Sequence, residues 1–115
     1  MSPTQRTLKY LRGKGYTVEI TEHWNFYGRV RKDLYGFVDV MALREGLTGA
    51  LGVQTTTQSN MSARVKKILT ECQENAVLWL RTGNRIAVHG WAKKGKKGKR
   101  KLWEVKERLI TLEDI

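Results

Sequence analysis

Cysteine is nearly missing from this 115-residue chain, in which Cys72 stands alone. A lone thiol forms no internal disulfide, and no cysteine–histidine cluster has the spacing of a zinc site. Proline is equally scarce, with Pro3 the single example. No apolar run reaches the roughly 18 residues of a transmembrane helix. The opening Met1-Ser2-Pro3-Thr4-Gln5-Arg6 lacks the apolar stretch of a secretion signal. An intracellular setting without a membrane partner is therefore expected. Acidic residues are in short supply too: 11 Asp+Glu stand against 22 Lys+Arg, for a net charge of +11. That imbalance in a small chain points to a polyanionic partner, nucleic acid before anything else.

What is present suffices for a core. Hydrophobic residues make up 40% of the chain, which excludes wholesale disorder and predicts one domain over 1–115. Ser2, Pro3 and Gln5 mark a helix start. Thr4, Thr7, Leu8 and Leu11 share a face at helical spacing, and Gly13 and Gly15 end the helix. Residues 16–22 alternate as a strand with Tyr16, Val18 and Ile20 on one side. Residues 23–32 show no clear period and mix rings with Arg29, Arg31 and Lys32. This pattern suits base stacking combined with phosphate contact; the alternative for Trp24 and Phe26 is cover for the edge of the core. Residues 37–43 and 50–56 predict an antiparallel hairpin. Ser59 or Asn60 then caps one long helix that Gly83 ends, with Met61, Val65, Ile68, Leu69, Cys72, Ala76, Trp79 and Leu80 as its apolar stripe. Cys72 on that stripe reads as a small buried hydrophobe.

The far face of this helix carries Arg64, Lys66 and Lys67 near its start. Cations there oppose the helix dipole and suggest an external anion. Two further strands, 85–91 and 102–110, flank the basic hairpin loop 92–101, which holds Lys93, Lys94, Lys96, Lys97, Lys99, Arg100 and Lys101 and no acid. Such a loop seeks phosphate. His89 is expected half-exposed on its strand, and the acidic tail 110–115 is expected to fold back on the basic surface. The predicted class is α/β: a small mixed sheet of about five strands flanked by two helices, in the order α-β-β-β-α-β-β.

The hairpin 33–57 holds the chemistry. Asp39 interrupts Phe37-Val38-Asp39-Val40-Met41, and Gln54 and Thr56 lie in phase on the next strand, with Gly52 leaving room beside them. A carboxylate in an apolar strand needs a partner or a metal. An oxygen-only cluster suits Mg²⁺ or Mn²⁺, which would activate water and offset charge on a phosphate.

With these motifs and this element order, residues 4–91 resemble the PD-(D/E)XK, or restriction-endonuclease-like, nuclease superfamily, closest to its small Holliday-junction-resolvase-like and phage-type members. Gly36-Phe37-Val38-Asp39-Val40-Met41-Ala42-Leu43 stands for the first motif. Gln54-Thr55-Thr56 stands in the place of Glu-X-Lys. The resemblance implies a metal-dependent DNA nuclease, selective for structure and commonly homodimeric, acting on branched, single-stranded or duplex DNA. Asp39 and Gln54 would hold the ion, with Asp33 or Glu19 as a further carboxylate, and Thr56 and Gln58 would position water or phosphate. Thr56 lacks the motif's positive charge, for which Lys66, Lys67 or Lys32 could substitute. Without that substitution the chain would be a non-catalytic nucleic-acid-binding module on a degenerate nuclease scaffold. A third reading is a small RNA-associated protein of unrelated α/β fold, with Asp39 structural.

Overall fold

A computed structural model describes residues 1–115, with Asn25 as backbone only. The first helix, α1 (Pro3–Gly13), starts as its sequence dictates: the Gln5 N–H donates to the Ser2 hydroxyl at 3.2 Å, and Pro3 sits in the first turn. Its Thr7, Leu8 and Leu11 are buried. Strand β1 (Thr17–Ile20) follows, then a short ribbon of β2 (His23–Asn25) and β3 (Val30–Lys32), then β4 (Val40–Leu43) and β5 (Leu51–Thr57). Two helices, α2 (Met61–Leu69) and α3 (Gln73–Arg81), lead to β6 (Arg85–Lys94) and β7 (Leu102–Ile110).

Five strands form one mixed sheet in the order β1-β4-β5-β6-β7. β4 runs antiparallel to both its neighbours, β1 and β5. β5 and β6 are parallel, which requires the helical crossover of α2 and α3 between them. β6 and β7 close an antiparallel hairpin. Alternation of side chains gives the sheet two apolar faces. On one, Leu8 and Leu11 of α1 pack on Val18, Val40, Ala42, Leu51, Val53 and Ala87. On the other, Ile68, Ala76 and Trp79 of the crossover pack on Phe37, Val38, Ile86, Val88 and Ile110. The result is a compact α/β fold with helices on both sides of the sheet. No helix among the described residues is long and apolar enough to cross a membrane.

Several expectations need correction. The long helix is two helices, broken over residues 70–72. Thr70 donates its hydroxyl to the Lys66 carbonyl at 2.7 Å, and the Cys72 N–H reaches back to the Lys67 carbonyl at 3.1 Å. A β-branched residue with a back-bonding hydroxyl loosens the ladder there, while the apolar stripe resumes in phase on α3. Residues 23–32 form a two-stranded ribbon, and Trp24 and Phe26 are exposed, so neither covers the core edge. The strand expected from Phe37 begins at Val40; Phe37 is fully buried in the turn before it. Gly52 does not leave room beside Asp39: a Cβ there would sit 2.9 Å from the Trp79 ring and 3.0 Å from Val38.

His89 is fully buried rather than half-exposed. Its Nε2 lies 2.7 Å from Glu107 Oε2 and its Nδ1 lies 3.2 Å from the Thr7 hydroxyl. That hydroxyl also accepts from Trp91 Nε1 at 2.9 Å, so Thr7 ties the His89 and Trp91 rings together. Cys72 is buried, and burial pushes its thiol up. The tail folds back as expected, with Asp114 on Arg108 at 3.0 Å.

Candidate metal centre and nucleic-acid surface

Asp39 sits one residue before β4. The pairing of Val40 with Val53 puts it across from Gln54. Its backbone is held on both sides: its N–H donates to the Val53 carbonyl, and its carbonyl accepts from the Thr21 N–H, both at 2.9 Å. The side chain is thus aimed by the sheet itself. Asp39 Oδ2 accepts from Gln54 Nε2 at 2.7 Å, from the Thr55 N–H at 2.8 Å and from the Thr55 hydroxyl at 3.2 Å. Gln54 Nε2 also donates to Asp33 Oδ2 at 3.2 Å. Asp33 arrives in the turn after β3, where its carbonyl accepts from the Gly36 N–H at 3.0 Å. Glu22, just beyond β1, completes the group: carboxylate oxygens of Glu22, Asp33 and Asp39 lie within 4.8 Å of one another.

Three acids crowded together in a chain of net charge +11 repel one another. Burial foremost, and then the Asp33 carboxyl beside it, raise the Asp39 carboxyl to about 7; the Thr55 N–H and Gln54 amide pull the other way. Gln54 is only 2% exposed. Its NH₂ bridges the two aspartates, and its Oε1 has no hydrogen-bond partner among the described residues. A buried amide oxygen without a donor calls for a reason. The NH₂, not the oxygen, faces the acids, so the carboxylates rather than the amide are the groups offered to a cation there. The ligand atoms within reach are all carboxylate oxygens, from Glu22, Asp33 and Asp39. They fit a hard divalent ion such as Mg²⁺ or Mn²⁺.

The group opens into a cleft of about 340 Å³. Arg31, Arg64 and Lys67 line it together with the acids, and Pro3 and Thr4 bring the first turn of α1 to its rim. The Thr4 hydroxyl meets that of Thr55 at 2.8 Å. Cations and a helix N-terminus around a carboxylate cluster can hold a phosphate next to a metal.

The remaining expected residues distribute as follows. Thr56 is buried at 6% exposure, opposite Gly90, and does not line the cleft. Gln58 donates to the Glu104 carbonyl at 3.2 Å, away from the acids. Lys66 borders a separate groove with Lys106 and Arg108. Lys32 pairs with His23 in the ribbon, Arg29 occupies its turn with φ at 52°, and Arg31 reaches Glu22 at 3.5 Å. Glu19 is exposed on β1 outside the acidic group. Lys93 and Lys94 end β6; Lys96, Lys97, Lys99, Arg100 and Lys101 form the exposed hairpin tip. Glu22 and Thr55 do not stand out in the sequence. Thr55 acts largely through its backbone N–H, which no side-chain pattern shows, and Glu22 joins only because β1 and the turn at 33 converge. Comparison with family models, with curated proteins and with solved structures finds no match for this chain.

Proposed function

We propose that this chain is a metal-dependent nuclease that hydrolyses phosphodiesters in DNA on a restriction-endonuclease-like core, with resolvase-like preference for structure over sequence. The observation that carries this reading is the convergence of Glu22, Asp33 and Asp39, the last two bridged by the Gln54 amide, in one cleft with Arg31, Arg64 and Lys67. The core is consistent with it: a helix, the antiparallel strands β1, β4 and β5, a helical crossover and the parallel strand β6, with Asp39 just before β4 across from Gln54 on β5. A bound Mg²⁺ or Mn²⁺ supplies a Lewis acid and a water of lowered pKa. The chain's own residues do the rest. Asp39, Asp33 and Glu22 would hold the ion, Gln54 would tie the two aspartates together through its NH₂, and Thr55 fixes the Asp39 carboxylate. Arg31 and Arg64 bind the phosphate backbone. Lys67, on α2, stands for the charge that Thr56 lacks and stabilises the developing oxyanion.

A second reading, a non-catalytic DNA-binding module on this scaffold, is favoured by the neutral Gln54 and by Thr56 lying outside the cleft. Incubation with branched, single-stranded and duplex DNA separates the two. Metal-dependent cutting should vanish in EDTA and in Asp39→Ala. Lys67→Ala should lower it by about 10²–10³-fold, as for loss of one oxyanion donor, whereas Lys66→Ala should change it little. Cutting that survives Asp39→Ala would sink the nuclease reading. Binding without cutting would favour the module.

A further inference from the structure

The β2–β3 ribbon carries rings that the core does not use. Among the described side chains of residues 23–32 none is buried; Trp24 is 47% exposed, Phe26 82% and Tyr27 103%. The ribbon is a two-stranded sheet of its own, with the register His23↔Lys32, Trp24↔Arg31 and Asn25↔Val30. An isolated pair of strands is marginally stable in water, and exposed rings on it add nothing to a core. Core packing therefore gives no reason for Trp24 and Phe26 here, and exposed apolar rings close together in sequence mark contact surfaces. The same ten residues include Arg29, Arg31 and Lys32 and no acid. Both ends of the ribbon are rooted in the cleft: Glu22 precedes His23, and Asp33 follows Lys32. Three strand steps carry the turn about 10 Å outward from there.

We propose that the ribbon is a stacking platform for unpaired bases, holding a single-stranded segment of nucleic acid beside the Glu22–Asp33–Asp39 cleft; this rests on the nucleic-acid reading of that cleft. Trp24 and Phe26 take base faces, and Arg29, Arg31 and Lys32 take the phosphates between them. Bases in a duplex already stack on one another, so their faces are closed to the rings. The lysine-rich tip at 95–101 holds cations and no aromatic residue. It grips any strand without regard to pairing, and the ribbon adds the selection for unpaired bases. Cationic charge on the ribbon favours this occupant over an acid-free second copy of the same ribbon.

The test is a binding titration of the full chain in EDTA, with labelled oligothymidylate and a blunt duplex of equal length. Oligouridylate in parallel tells RNA from DNA as the source of unpaired bases. Trp24→Ala and Phe26→Ala should each weaken single-strand binding by roughly 5- to 150-fold, the range for loss of one stacked ring. The ratio of single-strand to duplex affinity falls accordingly. The salt slope stays unchanged, whereas Arg29→Gln lowers it by about 0.7. Trp24→Phe and Phe26→Trp should restore most of the ratio. An unchanged ratio overturns the proposal, as does a ring variant that alters only self-association or binding to phosphatidylserine vesicles. Cutting with Mn²⁺ is scored separately. Cutting with an unchanged ratio overturns the ribbon proposal alone; a lowered ratio without cutting upholds the ribbon and overturns the nuclease.

Discussion

With its carboxyl raised to about 7, Asp39 keeps a proton in the folded chain at pH values where the unfolded chain, with an ordinary value near 3.8, has lost its own. Between those two values the folded state binds more protons, so stability falls as pH rises through the window. Metal-free protein should therefore melt at a lower temperature near pH 8 than near pH 5.5. Asp39→Asn should flatten that decline, and Mg²⁺ or Mn²⁺ should offset it in the wild type by binding the folded form. Thermal melts across pH, with and without the ion, check all three; a melting temperature that rises steadily toward pH 8 without metal would count against a buried, protonated Asp39. Glu107 works in the opposite sense. His89 beside it holds its carboxyl below the ordinary value, so its contribution is present above about pH 4.5 and is lost on acidification through the lowered value.

The elements show where close approach replaces side chains. Gly90 of β6 faces α2, and a Cβ added there would strike Met61 and stand 3.0 Å from the Gln58 backbone. Gly90→Ala should cost about 1–3 kcal/mol, as overpacking does, and should disturb the seat of α2, with Arg64 and Lys67 on it. Denaturant melts measure the first effect, and cutting rates the second. Much of this layer is legible in the sequence. The alternation of 85–91 and 102–110 marks both strands of the last hairpin, and the residues between them mark its basic tip. The break at Thr70 is not legible, because α2 and α3 keep one apolar stripe in phase across it. The ribbon is not legible as strands either, since it has no buried face to impose a period of two. Asp39 and Gln54 can be paired from their phase on adjacent strands. Glu22 and Thr55 cannot, one being brought in by tertiary convergence and the other acting through its backbone. The burial of His89 is hidden because Thr7 and Glu107, its partners, stand 82 and 18 residues away.

For the molecule as a whole, strand direction decides where charge accumulates. Because β5 and β6 are parallel, both run toward the end of the sheet that holds the cleft, and β6 continues beyond Trp91 into the lysine-rich tip. The basic tip therefore extends from the same end as the acids. Replacing Lys96, Lys97, Lys99, Arg100 and Lys101 with Gln should weaken DNA binding uniformly across sequences and lower the salt slope by about 0.9 for each phosphate no longer neutralised. Affinity measured over a salt series reads this directly, and an unchanged slope would remove the tip from the interface. The buried cluster of Thr7, His89 and Trp91 has a different consequence, one of timing. Thr7 meets partners 82 and 84 residues downstream, and contacts so distant in sequence form late. During synthesis α1 waits with its polar partner missing until β6 has left the ribosome, while the β4–β5 hairpin that carries Asp39 and Gln54 pairs over a short span. The expected order is that amides of the β4–β5 hairpin gain protection before those of α1 and β6, which pulse-labelled hydrogen exchange during refolding checks.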